Sequence, residues 1–69
     1  MVCTKYESVT GGARGNFTAD STPSPMPETY EGVVGGAGRG VKIAPGSELL
    51  VTGTGEVWVK KETSGWDKL

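Results

Sequence analysis

The sequence predicts one all-β domain, 1–69, of about six short antiparallel strands arranged as three hairpins in a small sandwich or barrel. Three observations favour this fold. With 12 Gly and 4 Pro in 69 residues, almost no window is long enough for an apolar stripe at helical spacing, so we expect no substantial helix. Short runs rich in Val, Ile, Thr and aromatic residues lie between Gly-rich turns. Finally, a segment near the start recurs in the middle.

The recurring segment is YESVTGGARG at 6–15, which returns as YEGVVGGAGRG at 30–40. In each copy a Gly-Gly-Ala turn follows one β-prone run and precedes another. Glycine supplies the positive φ angles that hairpin turns need. The repeat therefore predicts two equivalent hairpins, 2–19 and 30–44, each a copy of one supersecondary unit.

A third hairpin is predicted over 48–62, and its register follows from the pattern of apolar residues. A three-residue Gly-Thr-Gly loop pairs Leu50 with Trp58 and makes the other face wholly apolar. A two-residue loop would instead set Val51 opposite Glu56 and mix charged with apolar groups. We therefore predict the three-residue loop.

This register puts Leu50 and Trp58 on one face, which we expect to contact another subunit, although an ordinary core role for Trp58 is the alternative. Trp66 lies in the short, mostly polar tail, 63–69. Because aromatic side chains are enriched among interface anchors, Trp66 is a further candidate interface residue.

The first two hairpins are joined by a Pro-rich connector, 20–29, that contains Pro23 and Pro25. Closely spaced prolines favour an extended conformation without backbone donors. We expect this connector to run over a neighbouring subunit; a ligand for an SH3 or WW domain is a less favoured interpretation because no basic residue adjoins it.

Composition excludes several classes of function. A formal net charge of −1 argues against nucleic-acid binding, and the absence of His with a single cysteine, Cys3, excludes the usual metal ligand sets. We expect no cofactor, no membrane insertion and no catalysis. The hydrophobic share is 35%, which leaves a small core, so contacts between copies of the chain are expected to supply part of its stability.

Two arginines end the matching turns. Arg14 and Arg39 are each followed by glycine, and a guanidinium suits contacts with carboxylates or carbonyls of a partner. A solvated turn residue is the equal alternative. The glycine-rich run 35–40 is not a phosphate-binding loop, since position 41 is Val and neither Lys nor Ser/Thr follows at the required spacing.

The segment VKIAPGSELLVTGTGEVWVK, 41–60, resembles small virion proteins of tailed bacteriophages, which combine Gly/Thr/Ser-rich hairpins with extended Pro-bearing arms. The resemblance implies a non-enzymatic structural protein of the virion, made in the host cytoplasm. It would stabilise the capsid as a decoration (cement) protein by binding copies of itself and the major shell protein, or it would be a neck or tail component. A small SH3-like or OB-like barrel that binds peptide or nucleic acid in a groove lined by Tyr6, Tyr30 and Trp58 is the alternative.

Overall fold

The computed structural model describes all 69 residues and confirms the all-β class. Five strands form one open sheet in the order of the chain. The strands are β1 (Val2–Val9), β2 (Gly12–Ala19), β3 (Glu48–Val51), β4 (Glu56–Lys60) and β5 (Trp66–Lys68). Neighbours are antiparallel except β2 and β3, which are parallel. The sheet is therefore mixed, with five strands where about six antiparallel ones were predicted.

Strands β1 and β2 form the hairpin expected over 2–19. Val9 lies opposite Gly12, so Thr10 and Gly11 make a two-residue turn, in which Gly11 has a φ of 84°. The turn falls one residue earlier than the Gly-Gly-Ala segment suggested. Gly12 already belongs to β2, and a side chain there would collide with the backbone carbonyl of Lys42.

The second copy of the repeat does not form a hairpin, so the prediction of two equivalent units is wrong. Residues 20–47 form the crossover that joins β2 to the parallel strand β3, and such a connection must pass over a face of the sheet. Its segment 29–43 makes only isolated bridges, of which two join it to β1 and β2. The third bridge, Thr29 with Lys42, joins the two ends of the segment, so the segment pairs with the first hairpin at two places and with itself at one.

The two tyrosines of the repeat show this difference. Tyr6 is 46% exposed, whereas Tyr30 is 2% exposed. The Tyr30 ring packs against Phe17 at a centroid distance of 5.4 Å, and its hydroxyl donates a hydrogen bond of 2.8 Å to the carbonyl of Ala13. Tyr30 therefore fastens the crossover to the sheet.

Burial raises the pKa of Tyr30 to about 12 from an ordinary value of 10.0. Because the unfolded chain ionises first, we expect stability to fall as pH rises from about 10 towards 12. Absorbance of phenolate in the ultraviolet should show one tyrosine titrating late, and Tyr30→Phe should remove this late step. A late step that persists in Tyr30→Phe would contradict the assignment.

The core lies between the crossover and one face of the sheet, hereafter the covered face. Its most deeply buried side chains are contributed by all parts of the chain: Cys3, Ala13, Phe17, Tyr30, Ile43, Leu49, Val51 and Trp66. Every buried side-chain polar atom has a hydrogen-bond partner. The core is small, as the composition indicated, but it contains no buried polar side-chain atom without a hydrogen bond.

The β3–β4 hairpin does not have the predicted register, in which Leu50 is opposite Trp58, so that prediction is wrong. Leu50 lies opposite Val57, and Val51 lies opposite Glu56. Thr52 does not pair with β4, because its N–H instead donates to the carbonyl of Ala19 in β2 at 2.8 Å. The register of this hairpin is therefore set by the parallel pairing of β3 with β2, and not by the apolar pattern of the hairpin itself.

Placing Glu56 beside apolar Val51 is tolerated because Glu56 begins its strand and reaches hydrogen-bond donors. Its carboxylate accepts a 2.8 Å hydrogen bond from the hydroxyl of Thr22 and one of 3.3 Å from the indole of Trp58. These bonds hold the pKa of Glu56 below its ordinary value. The predicted register took account only of the charges on each face of the hairpin and not of these hydrogen-bond donors.

The connector 20–29 lies along its own chain. Besides the bond from Thr22 to Glu56, the carbonyl of Pro27 accepts a 2.8 Å hydrogen bond from the indole N–H of Trp66. The tail, which lies outside the three predicted hairpins, contributes β5, with Trp66 buried in the core. The connector and tail therefore hold each other in place.

A buried lysine in β4 also binds the crossover, through an ion pair. The ammonium of Lys60 lies 3.2 Å from the carboxylate of Glu28 and donates to the carbonyls of Lys61 and Thr63. Glu28 also accepts a 2.9 Å hydrogen bond from the N–H of Gly65. Burial by itself raises the pKa of Glu28, but the bonds from Gly65 and Lys60 outweigh it and hold that pKa below the ordinary value.

Since the folded pKa of Glu28 is lowered, its stabilising effect is complete above the ordinary value of 4.5 and is lost as pH falls below it. We expect Glu28→Gln to lower the free energy of unfolding at neutral pH by about 1 kcal/mol and to flatten the acid dependence. Urea melts at neutral and acid pH measure both effects. The matched control is Glu31→Gln, which breaks the exposed pair with Arg39 and should change stability by less than about 0.5 kcal/mol. Equal effects of the two variants would contradict the prediction.

Candidate protein-binding face

The side of the sheet opposite the core is covered by no other element, and we call it the open face. Side chains alternate between faces along each strand, and directly opposed residues on neighbouring strands share a face. In β2, Ala13, Gly15 and Phe17 are buried on the covered face. Arg14 and Thr18 therefore point to the open face.

One row of side chains crosses the open face from β1 to β4. Val2 lies opposite Thr18, Thr18 opposite Leu50, and Leu50 opposite Val57. Leu69 continues the row beyond β5, since its N–H donates to the carbonyl of Val57. At the other end Val34 forms a parallel bridge with Val2. We call this set the apolar row: Val34, Val2, Thr18, Leu50, Val57 and Leu69.

The apolar row contains most of the exposed large hydrophobic residues of the molecule. Val2 and Leu50 are each 43% exposed, Val34 is 65% exposed and Leu69 is 81% exposed. The only other exposed large hydrophobic residue is Tyr6. Scattered single apolar residues on a surface are common, but alignment of four of five in one row is typical of a binding surface.

A second row, polar except for Val59, lies beside the apolar row on the same face. Asn16, Glu48, Val59 and Asp67 are opposed across β2 to β5. Between the two rows is a shallow hollow of about 320 Å³, bordered by Thr18, Leu50 and Glu48. An apolar strip with carboxylates along one side suits a protein surface that presents apolar groups flanked by Lys or Arg.

The structure separates the interface residues predicted from the sequence. Leu50 lies at the centre of the apolar row, but Trp58 is opposite Leu49 and therefore on the covered face. The prediction of one shared face was wrong because the hairpin is shifted by one residue, which turns Trp58 to the other side. Trp66, 7% exposed, packs edge-on against Phe17 in the core. Neither tryptophan is on the open face.

The two arginines also differ in position. Arg14 is on the open face, 3.6 Å from Glu7 across the β1–β2 hairpin. Arg39 is in the crossover, 3.0 Å from Glu31, and both side chains of that pair are highly exposed. Pro23 and Pro25 lie at the start of the crossover, half-buried and exposed respectively. Of these four residues, only Arg14 is on the open face.

The groove expected for a barrel adaptor is not formed. Tyr30, in the crossover, is buried against the sheet, and the sheet is open, with β1 and β5 as its edges. The structure contains no cluster of three or more His, Cys, Asp or Glu side chains placed to hold a metal ion. No helix of the chain is long and apolar enough to cross a membrane.

Five members of the apolar row were not predicted from the sequence: Val2, Thr18, Val34, Val57 and Leu69. They come from distant parts of the chain, and only the strand registers bring them into line. Comparison with protein-family models, curated proteins and solved structures finds no match to this chain. The candidate site therefore depends on geometry alone.

Proposed function

We propose that this protein is a non-enzymatic structural protein that binds another protein through its open face and self-associates. The apolar row is the observation that supports this function most strongly. It is exposed, continuous across the sheet and bordered by Glu48 and Asp67. Burying such a row against a complementary surface supplies the hydrophobic stabilisation that the small core lacks.

We further propose that the partner is the shell protein of a tailed-phage particle, with the chain acting as a capsid decoration (cement) protein. Support for this setting comes from the resemblance of segment 41–60 to small virion proteins. An open sheet face suits attachment to a broad protein surface better than it suits a small molecule. A neck or tail component would use the same face on a different virion protein.

Mass spectrometry of purified particles of the phage that encodes the chain tests this proposal. We expect the chain to be present at a constant ratio to the shell protein. When the Leu50→Lys variant is supplied by complementation, the amount of the chain in the particles should fall at least about tenfold. The reason is that a charge at the centre of the apolar row would be buried without a partner. Labelling of whole particles with an antibody separates head from neck or tail.

Ser64→Lys is the matched control, because it adds the same charge at an exposed loop residue away from the apolar row. This variant should be incorporated like wild type. Absence of the wild-type chain from the particles would refute the virion role. Equal incorporation of Leu50→Lys and Ser64→Lys would refute the role of the open face.

A further inference from the structure

Strand β1 is one edge of the sheet, and part of its outer side is uncovered. Val34 covers the first residues, where the N–H of Cys3 donates to the carbonyl of Val34 at 2.8 Å. No segment pairs with the outer side of β1 between Lys5 and Val9. The opposite edge, β5, has only three residues. An uncovered strand edge is a template for pairing with another strand.

The hairpin register shows which backbone groups of this edge are free. Val9 and Gly12 flank a two-residue turn and are directly paired. Because hydrogen-bonded pairs alternate along an antiparallel ladder, Glu7 and Lys5 also direct their backbone groups to β2. Tyr6 and Ser8 direct their N–H and C=O groups away from the sheet. These groups are available to a further strand.

The side chains of the edge are self-complementary in charge. Lys5 and Glu7 both lie on the open face, opposite Asn16 and Arg14 of β2. In an antiparallel pairing of two copies centred on Tyr6, Lys5 of each copy lies opposite Glu7 of the other. Such cross-strand pairs of opposite charge are stabilising.

Other symmetric registers are less favourable. Centring the pairing on Glu7 would place two carboxylates directly opposite each other, which is destabilising. Centring it between two residues would oppose outward-directed Tyr6 with Glu7, whose backbone groups point to β2. Backbone direction leaves Tyr6 and Ser8 as possible centres. Centring on Ser8 would oppose Glu7 with Val9, so only the register centred on Tyr6 opposes unlike charges.

We propose that two copies of the chain associate through antiparallel pairing of residues 5–7 of their β1 edges, centred on Tyr6 and short of the residues that Val34 covers, into one continuous sheet. The two-fold axis is then perpendicular to the sheet. Both apolar rows consequently lie on the same side, where one partner surface contacts both copies. The inference rests on the proposed function for self-association only, since the edge and the open face are different sites.

The covered side of the edge has room for this pairing. A hollow of about 570 Å³ lies between Tyr6 and Ser8 of β1 and the crossover residues Ala37, Gly38 and Val41. Tyr6 is 46% exposed beside it. In the paired sheet the two Tyr6 rings lie opposite each other at this hollow, which removes apolar ring surface from water.

Exchange of the two edge charges tests the pairing by sedimentation velocity at low ionic strength. Wild type should be a dimer. Lys5→Glu and Glu7→Lys each place like charges opposite one another twice, so each should weaken association about 10- to 100-fold. An equimolar mixture of the two single variants restores both opposite-charge pairs and should form a heterodimer. The double variant Lys5→Glu/Glu7→Lys should also recover the dimer.

A monomeric wild type at high micromolar concentration would overturn the inference. So would single variants that dimerise like wild type, or a mixture that fails to recover association. Thermal melts by circular dichroism verify folding of these surface variants. Leu50→Lys separates the two proposals: it should remain dimeric while being lost from particles, and a monomeric Leu50→Lys would place self-association on the open face instead.

Discussion

Tyr30→Ala should lower the free energy of unfolding by about 4 kcal/mol, the largest effect expected of any single substitution in this chain. The variant loses a ring that is 2% exposed and packed against Phe17, together with the hydrogen bond from its hydroxyl to Ala13. A domain of this size has a total stability of roughly 3 to 10 kcal/mol. We therefore expect the variant to be largely unfolded near physiological temperature, as measured by circular dichroism and urea melts.

The repeat supplies the matched control. Tyr6→Ala removes the same side chain from the corresponding position of the first copy, where it is 46% exposed. This change should cost about 1 kcal/mol or less. Tyr30→Phe keeps the ring and should cost about 1 kcal/mol through the lost hydrogen bond. Similar destabilisation by Tyr6→Ala and Tyr30→Ala would show that the two copies are equivalent after all.

Trp66→Ala should lower the free energy of unfolding by about 3 to 4 kcal/mol. Its indole lies 6.1 Å from the Phe17 ring between centroids and donates a 2.8 Å hydrogen bond to the carbonyl of Pro27. Removing it leaves a cavity in the core and an unpaired carbonyl in the crossover. It also loosens β5, which has only three residues.

Trp58→Ala is the comparison for Trp66→Ala. Trp58 is half-buried at the margin of the core, and its indole donates only the 3.3 Å bond to Glu56. Its truncation should cost about half as much. Urea denaturation followed by circular dichroism measures both variants, because fluorescence would change with the loss of either indole. A larger effect at Trp58 would contradict the observed register of β3 and β4.

The two tryptophans show why the register was difficult to predict. In an isolated hairpin, pairing Leu50 with Trp58 satisfies the apolar pattern best. In the protein, Leu49 and Val51 are completely buried, and Thr52 bonds to Ala19 of β2. The parallel neighbour thus sets the register from outside the hairpin, and a shift of one residue moves Trp58 to the covered face.

The prediction of two equivalent hairpins from the repeat was wrong for a related reason. The two copies are similar in local sequence, and each has the glycines of a turn, yet only the first becomes a hairpin. The parallel pairing of β2 with β3 requires a crossover, and the second copy lies within that crossover. Glycines at 35 and 40, both with positive φ, shape a connection over the core instead of a hairpin turn.

The all-β class could be predicted from the sequence alone, together with the first hairpin and the small size of the core. These depend on local properties: glycine and β-branched residues, alternation along a strand, and the apolar share of the chain. Tertiary structure alone decided the parallel β2–β3 contact, the burial of Trp66 and the alignment of the apolar row. Those features join residues far apart in the chain, and their free energy depends on which strands become neighbours.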